Sequence, residues 1–418
     1  MSINSTIRPW YKEITNYQWK TLMAGFLGWG MDAFDFIIYN YLIVAIIKEW
    51  SLSTVETGMV ASVTVLASAV GGVFFGVLAD KIGRVKVLNI TIIVFSIGSF
   101  LCGISSGIWW LMAFRIVVGF GMGGEWGAGA ALVSETWPKE HRGKALAIMQ
   151  SAWAIGGLLA AAVAGPVIEA FGWRWVFFLG ITPAIVTYFI RRTVGESEIW
   201  VEKQETQANS GKKDSVPLIE IFKGSLLRTT LLASLFMIVV MVGNYSFNTW
   251  LPTYLATPVE KGGAGLSIMK SSLYVIPYWM GCFFGYLSFG FISDKIGRRK
   301  TFSGFFLMAA ALIPVYIKAA LYPTIFLIIA PLVGFFVMGF FGGFGAILSE
   351  IYPTRVRVTG QGFCYNVGRG AGAISITLVG ALAVTAGIGK AMMIASGLFF
   401  VAAILIWTLP ETVGKELE

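Results

Sequence analysis

The sequence predicts an all-α membrane protein: twelve transmembrane helices in two pseudo-symmetric bundles of six. Three observations predict it. The 418 residues are 56% hydrophobic and only 13% charged, where soluble domains hold roughly 45–50% apolar and about 25% charged residues. Apolar stretches near twenty residues, the length that crosses a bilayer, recur twelve times. Finally, a pair of landmarks in the first half reappears in the second at nearly one offset.

The twelve expected spans are 21–47, 55–78, 87–106, 109–134, 144–168, 173–190, 229–256, 268–292, 301–319, 322–349, 359–386 and 388–408. The longest polar stretch, 191–228, reads as a water-exposed linker. Residues 1–190 and 229–418 therefore form the two expected bundles. Residues 1–20 carry no apolar core of the signal-peptide kind. Fifty glycines suit a membrane protein, where they let helices approach closely.

The formal charge of +9 is explained by topology and not by nucleic acid. Of the lysines and arginines, 23 fall in alternate loops, the linker and the termini, and six in the opposite loops. The positive-inside rule then puts both termini and the linker in the cytoplasm, with the plasma membrane as the expected location. Cys102, Cys282 and Cys364 lie in apolar runs without metal-ligand spacing and are expected to be packing thiols. The single histidine, His141, lies in a loop. No nucleophile–base pair, metal cluster or phosphate-binding loop appears, so neither an enzyme nor a cofactor is expected.

GVLADKIGRVK at 76–86 recurs as GFISDKIGRRK at 290–300, and SETWPKEHR at 134–142 as SEIYPTRVR at 349–357. Asp80 and Asp294 stand 214 residues apart; Glu135 and Glu350 stand 215 apart. The halves are thus parallel repeats related by an axis along the membrane normal, an architecture in which two bundles rock about a central site. A cytoplasmic gate is expected at these loops. Gly76, Gly83, Gly290 and Gly297 should give close approach and a tight turn. Asp80, Arg84, Asp294 and Arg298, with Glu135, Arg142, Glu350 and Arg357, should form the latch.

The paired G-x-x-x-D-K-x-G-R loops resemble the signature of the major facilitator superfamily, and Arg115, Gly119 and Gly123 resemble its fourth-helix motif. GWGMDAFDF (28–36), RIVVGFGMGGEWGAGAALVSETWPKEHRGKA (115–145), GWRWVFFLGITP (172–183), ESEIWVEK (196–203) and GFCYNVG (362–368) resemble the sialate:H⁺ symporters, which include sialic acid and lactate or pyruvate permeases. Arg369 in NVGRGAGA is more similar to aromatic-acid:H⁺ symporters. The resemblance implies a major facilitator fold, a small organic acid as substrate and a proton as its partner.

Ionisable residues inside spans cost roughly 2.5–3.5 kcal/mol each at a helix centre and mark functional sites. Five stand out: Asp32, Asp35, Arg115, Glu125 and Arg369. Asp32 and Asp35 are about 60° apart around the first helix and about 4.5 Å along it. Two carboxylates that close resist joint ionisation in a partly dehydrated cavity, which suits proton coupling; Glu125 is a third candidate. Arg369 can grip a carboxylate bidentately, or pair with Asp32 or Asp35; the two roles are compatible. Arg115 belongs either to the site or to a structural pair, but not with Glu125, which is ten residues away. Tyr39, Asn40, Gln150, Asn244, Asn248, Gln361, Tyr365 and Asn366 are expected to complete the cavity. The favoured expectation is a monomeric proton-coupled symporter of an organic acid. A carrier of a neutral solute such as a sugar, or of an aromatic acid, is the alternative.

Overall fold

The computed structural model describes residues 10–138, 141–181, 192–198, 200–202, 217–353 and 356–412. The described residues are helical wherever they are regular, and among them eleven helical stretches are long and apolar enough to cross a membrane. In the first half, α1 covers Asn16–Trp50, α2 Thr54–Ile82, α3 Arg84–Gly103, α4 Ile108–Thr136, α5 Arg142–Phe171 and α6 Trp173–Leu179. Capping boxes start the first two helices: Thr15 with Gln18, and Ser53 with Glu56, each satisfy orphan N–H groups reciprocally. The expected sixth span, 173–190, begins as α6, and its remainder lies largely outside the described residues.

The second half is more broken. Gly224–Asn248 (α7) gives way at Thr249 and Trp250 to Leu251–Ala256 (α8), with Pro252 in its first turn. The helix α7 starts at Gly224, inside the stretch 191–228 expected as a linker. Ile268–Leu273 (α9) and Ile276–Ile296 (α10) share the eighth span, and Arg298–Ala319 is α11. The tenth span is two helices, Pro323–Gly339 (α12) and Phe341–Glu350 (α13). Arg357–Ala386 is α14, followed by Ile388–Met392 (α15) and Ile394–Leu405 (α16).

Packing repeats between the halves. In the first, α2 packs on α4, α1 on α5 and α3 on α4; in the second, α10 packs on α12, α7 on α14 and α11 on α12. The closest approaches repeat too. A Cβ on Gly119 would lie 2.1 Å from the Thr64 carbonyl, and one on Gly334, 215 residues later, 2.0 Å from the Tyr278 carbonyl. Only a missing side chain permits such backbone contact. The contacts that join the halves, α2 with α14 and α5 with α10, are exchanged by the same correspondence.

Candidate functional site

Halfway along the helices lies a cavity of about 50 Å³, lined from both halves. One water needs roughly 10–15 Å³ on such a measure, so the space holds more than one. From α1 it receives Trp29, Phe36, Ile37 and Asn40, and from α5 Gln150 and Trp153. The second half gives Asn244, Asn248, Trp279, Tyr286, Met338, Tyr365 and Arg369.

Arg369 is 6% exposed and donates from Nη2 to the Ser68 hydroxyl on α2 (2.7 Å). Its guanidinium carbon lies 6.0 Å from the Tyr365 ring centre. Among the described residues no carboxylate pairs with it, so the expected pairing with Asp32 or Asp35 is not formed. Tyr365 stacks on Trp126 of α4, centroids 5.2 Å apart and planes 8° apart, and Trp126 donates to Gln150 Oε1 (3.1 Å). A flat aromatic pair therefore crosses between the halves beside the cation. Asn244 and Asn248 share a face of α7 and both donate towards Met338 Sδ, at 3.0 and 3.4 Å.

The acids lie elsewhere. Asp32, Asp35 and Tyr39 follow one another at spacings of three and four, one stripe of α1. Trp29, Phe36 and Asn40 form another stripe, which faces the cavity. Asp35 is 2% exposed; Arg115 donates to its Oδ2 (3.4 Å) and its carbonyl (3.2 Å), and the Ser99 hydroxyl donates to Oδ1. Arg115 also sits 5.2 Å from the Tyr39 ring centre. Of the two roles open to Arg115, the structural pair is formed, through Asp35. Glu125 is buried on α4 and accepts from Thr91 on α3 (2.8 Å). The shared chamber expected for the acids and Arg369 needs correction: Asp32, Asp35, Tyr39, Arg115 and Glu125 are buried but do not line the cavity, and nor do Gln361 and Asn366. Helix geometry is the reason: spacings of three and four hold Asp32, Asp35 and Tyr39 on one stripe, while Phe36 and Asn40, each one residue further on, stand about 100° further round the helix.

At the turns between α2 and α3, and α10 and α11, Gly83 and Gly297 have φ of +112° and +103°, backbone that L-residues avoid. The expected tight turns are here. Gly76 and Gly290 differ: a Cβ on either would meet nothing within 4 Å, so neither serves close approach. Arg84 donates to Glu135 (Nη2–Oε1 3.0 Å) and Arg298 to Glu350 (Nη2–Oε1 3.1 Å), with Asp294 on Arg298 Nη1 at 2.6 Å. The side chain of Asp80 lies outside the description. Arg142 opens α5, and Arg357 donates from Nε to the Tyr352 carbonyl (3.3 Å).

Sequence reasoning missed the acids that complete these turns. Glu196 accepts from the N–H groups of Val85 and Lys86, both at 3.1 Å; Glu411 accepts from those of Arg298 and Arg299, at 2.9 and 3.1 Å. Each carboxylate thus caps a helix N-terminus. The Ser197 hydroxyl then reaches Glu135 and the Thr412 hydroxyl Glu350. Both additional pairs obey the 215-residue offset, a signal readable from VGES and LPET. Trp29, Trp126, Trp153 and Trp279 were also missed, because tryptophan in a membrane protein reads first as an interfacial anchor.

Apolar spans, repeat packing and a polar chamber at mid-depth define a multi-pass membrane transporter fold. The description "Major Facilitator Superfamily" matches residues 25–285, more than half of the chain, and the chain belongs to that superfamily. It is 34% identical to "Probable 4-methylmuconolactone transporter" of Cupriavidus pinatubonensis, over 98% of this chain and 94% of the relative. It is 29% identical to "Sialic acid transporter NanX" of Escherichia coli, over 95% of each. The crystal structure of a D-xylose–proton symporter superposes with a TM-score of 0.74 at 17% identity, covering 96% of this chain and all of the other. The protein is a major facilitator transporter.

Proposed function

We propose that the chain is a proton-coupled symporter of a small organic acid, working by alternating access. In this reading residues 1–190 and 229–418 are two six-helix bundles joined by a cytoplasmic linker, 191–228, in the plasma membrane with both termini inside. The observation that carries the reading is the buried guanidinium of Arg369, bound to a serine hydroxyl and, among the described residues, to no acid. An arginine so placed takes a carboxylate as its planar partner. Asn40, Gln150, Asn244 and Asn248 supply further polar contacts. Among organic acids, the Trp126–Tyr365 stack and the tryptophan walls favour one with a flat ring.

The coupled proton belongs on the other stripe of α1. Protonation of Asp35 removes its attraction to Arg115, and α1 carries that change to Phe36, Ile37 and Asn40, which touch the cavity. Asp32 and Glu125 are reserve carriers of the same proton. The four amides also suit a neutral polyol, the second reading. Uptake of radiolabelled benzoate, lactate, sialic acid and xylose into proteoliposomes separates the readings. The expected outcome is uptake of a carboxylate that rises with an inward proton gradient, collapses with a protonophore and is abolished in Arg369→Ala. Transport of xylose with no competition by any carboxylate would overturn the acid reading, and indifference to the protonophore would overturn coupling.

A further inference from the structure

At the end of the molecule that carries the α10–α11 turn, a surface cavity of about 360 Å³ opens between the first turns of α7 and α11 and the segment after α16. Arg228 and Arg299 both line it, with Trp407 and Pro410. Arg299 lies 4.7 Å from the Trp407 ring centre and donates from Nη2 to the Trp407 carbonyl (2.9 Å), while its buried Nε has no hydrogen-bond partner. Arg228 is exposed, and among the described residues neither guanidinium forms an ion pair with a carboxylate. The neighbouring acid, Glu411, accepts from the backbone N–H groups of Arg298 and Arg299. Two cations around one cavity select an anion.

The surroundings decide which anion. One turn beyond Arg228, α7 presents Leu231 and then Leu235, 56% and 46% exposed. The adjoining α16 presents Phe400 and Ile404, 53% and 58% exposed. These apolar side chains lead from the cavity along the surface that faces lipid. Trp407, 48% exposed, stands where an amphipathic ring marks the membrane–water boundary. A free anion would use the arginines alone; a phosphate bearing acyl chains uses both parts of the surface.

We propose that this cavity holds the headgroup of an anionic phospholipid. Its phosphate sits between Arg228 and Arg299, its chains lie along α7 and α16, and it ties α7, α11 and α16 together at the end where the cationic loops gather.

The test uses the full-length chain, delipidated in neutral detergent and titrated with phosphatidylglycerol, phosphatidylcholine or inorganic phosphate, read by native mass spectrometry and thermal melting. Phosphatidylglycerol should be retained saturably and raise the melting temperature. Phosphatidylcholine should be held several-fold more weakly, and phosphate should not protect. Arg228→Gln, which removes no hydrogen bond or ion pair of the described residues, should weaken phosphatidylglycerol retention about fivefold, the factor one arginine contributes at an anionic surface. Its lipid-free melting should stay unchanged, and Arg228→Lys should keep the retention. Equal retention of the two lipids, or full retention by Arg228→Gln, overturns the proposal. Protection by inorganic phosphate equal to that by the lipid also overturns it and makes the cavity a soluble-anion site.

Discussion

Two stripes of α1, separated by about 100° of helix per residue, divide the labour that the proposed symport needs. Asp35 lies among α3 and α4 side chains, where Arg115 and Ser99 satisfy it; Asn40, five residues on, faces the cavity. Removing one partner of a buried pair leaves the other charge uncompensated and costs about 3–5 kcal/mol, whereas removing both costs far less. Asp35→Ala should therefore lower the melting temperature in detergent, and Asp35→Ala with Arg115→Leu should restore much of it. Asp35→Asn should keep substrate exchange in proteoliposomes while losing the response to a proton gradient. Retained gradient-driven uptake would move the proton to Asp32 or Glu125. At this scale the ionisable residues were legible because charge inside a span is expensive. Their partners were not: Ser68, Ser99 and Met338 are ordinary membrane residues, and only the fold shows which of them a charge meets. Arg115 reaches Asp35 from another helix, a partner that the spacing within α1 does not announce.

The repeat made the elements legible, and the turns show how far. Gly83 and Gly297 occupy backbone that a side chain strains, and each packs against the acid that caps the next helix. A Cβ on Gly297 would come 3.1 Å from Glu411 Oε2, while one on Gly290, seven residues earlier in the same motif, meets nothing. Holding a residue with a side chain in such a conformation costs of order 1–3 kcal/mol. Gly297→Ala should then melt several degrees lower than the parent protein, and Gly290→Ala within about a degree of it. Equal effects would mean that the turn is not the strained part of the motif. The breaks inside spans were less legible. Pro252 marks one; Gly339, Gly342 and Gly343 flank the break at Phe340, but glycine is too frequent in these spans to single that break out, and α7 starts earlier than its polar flank suggests. Such boundaries are set by what packs against the chain, and local composition does not record that.

Across the whole molecule the junction between the halves is uneven along its length. Among the described residues, hydrogen bonds join α2 to α14 from Thr54 with Gly380, through Ser62 with Ala373, to Ser68 with Arg369. On the other flank Ser272 reaches the Ala161 carbonyl, and the Gly165 N–H donates to Ser272 (3.1 Å). The Thr54, Ser62 and Ser272 bonds lie between the cavity and the end away from the Gly83 and Gly297 turns and hold the halves together on that side, while Ser68 meets Arg369 at the cavity itself. Gly157 is part of the junction: a Cβ there would lie 2.5 Å from the Trp279 ring. A tryptophan at Gly157 cannot share that space, so this arrangement becomes inaccessible. A preference of about 5.5 kcal/mol already inverts a 99:1 population, and a ring-on-ring overlap exceeds it. Gly157→Trp should abolish uptake. It should also let a membrane-impermeant maleimide, added outside right-side-out vesicles, reach a cysteine placed at Asn248 in the cavity. The parent protein with the same cysteine should label slowly, and Cys102, Cys282 and Cys364, all buried, set the background. Slow labelling of a well-folded Gly157→Trp protein that still transports would show that the α5–α10 contact is not the outer seal. Alternating access would then have to close elsewhere.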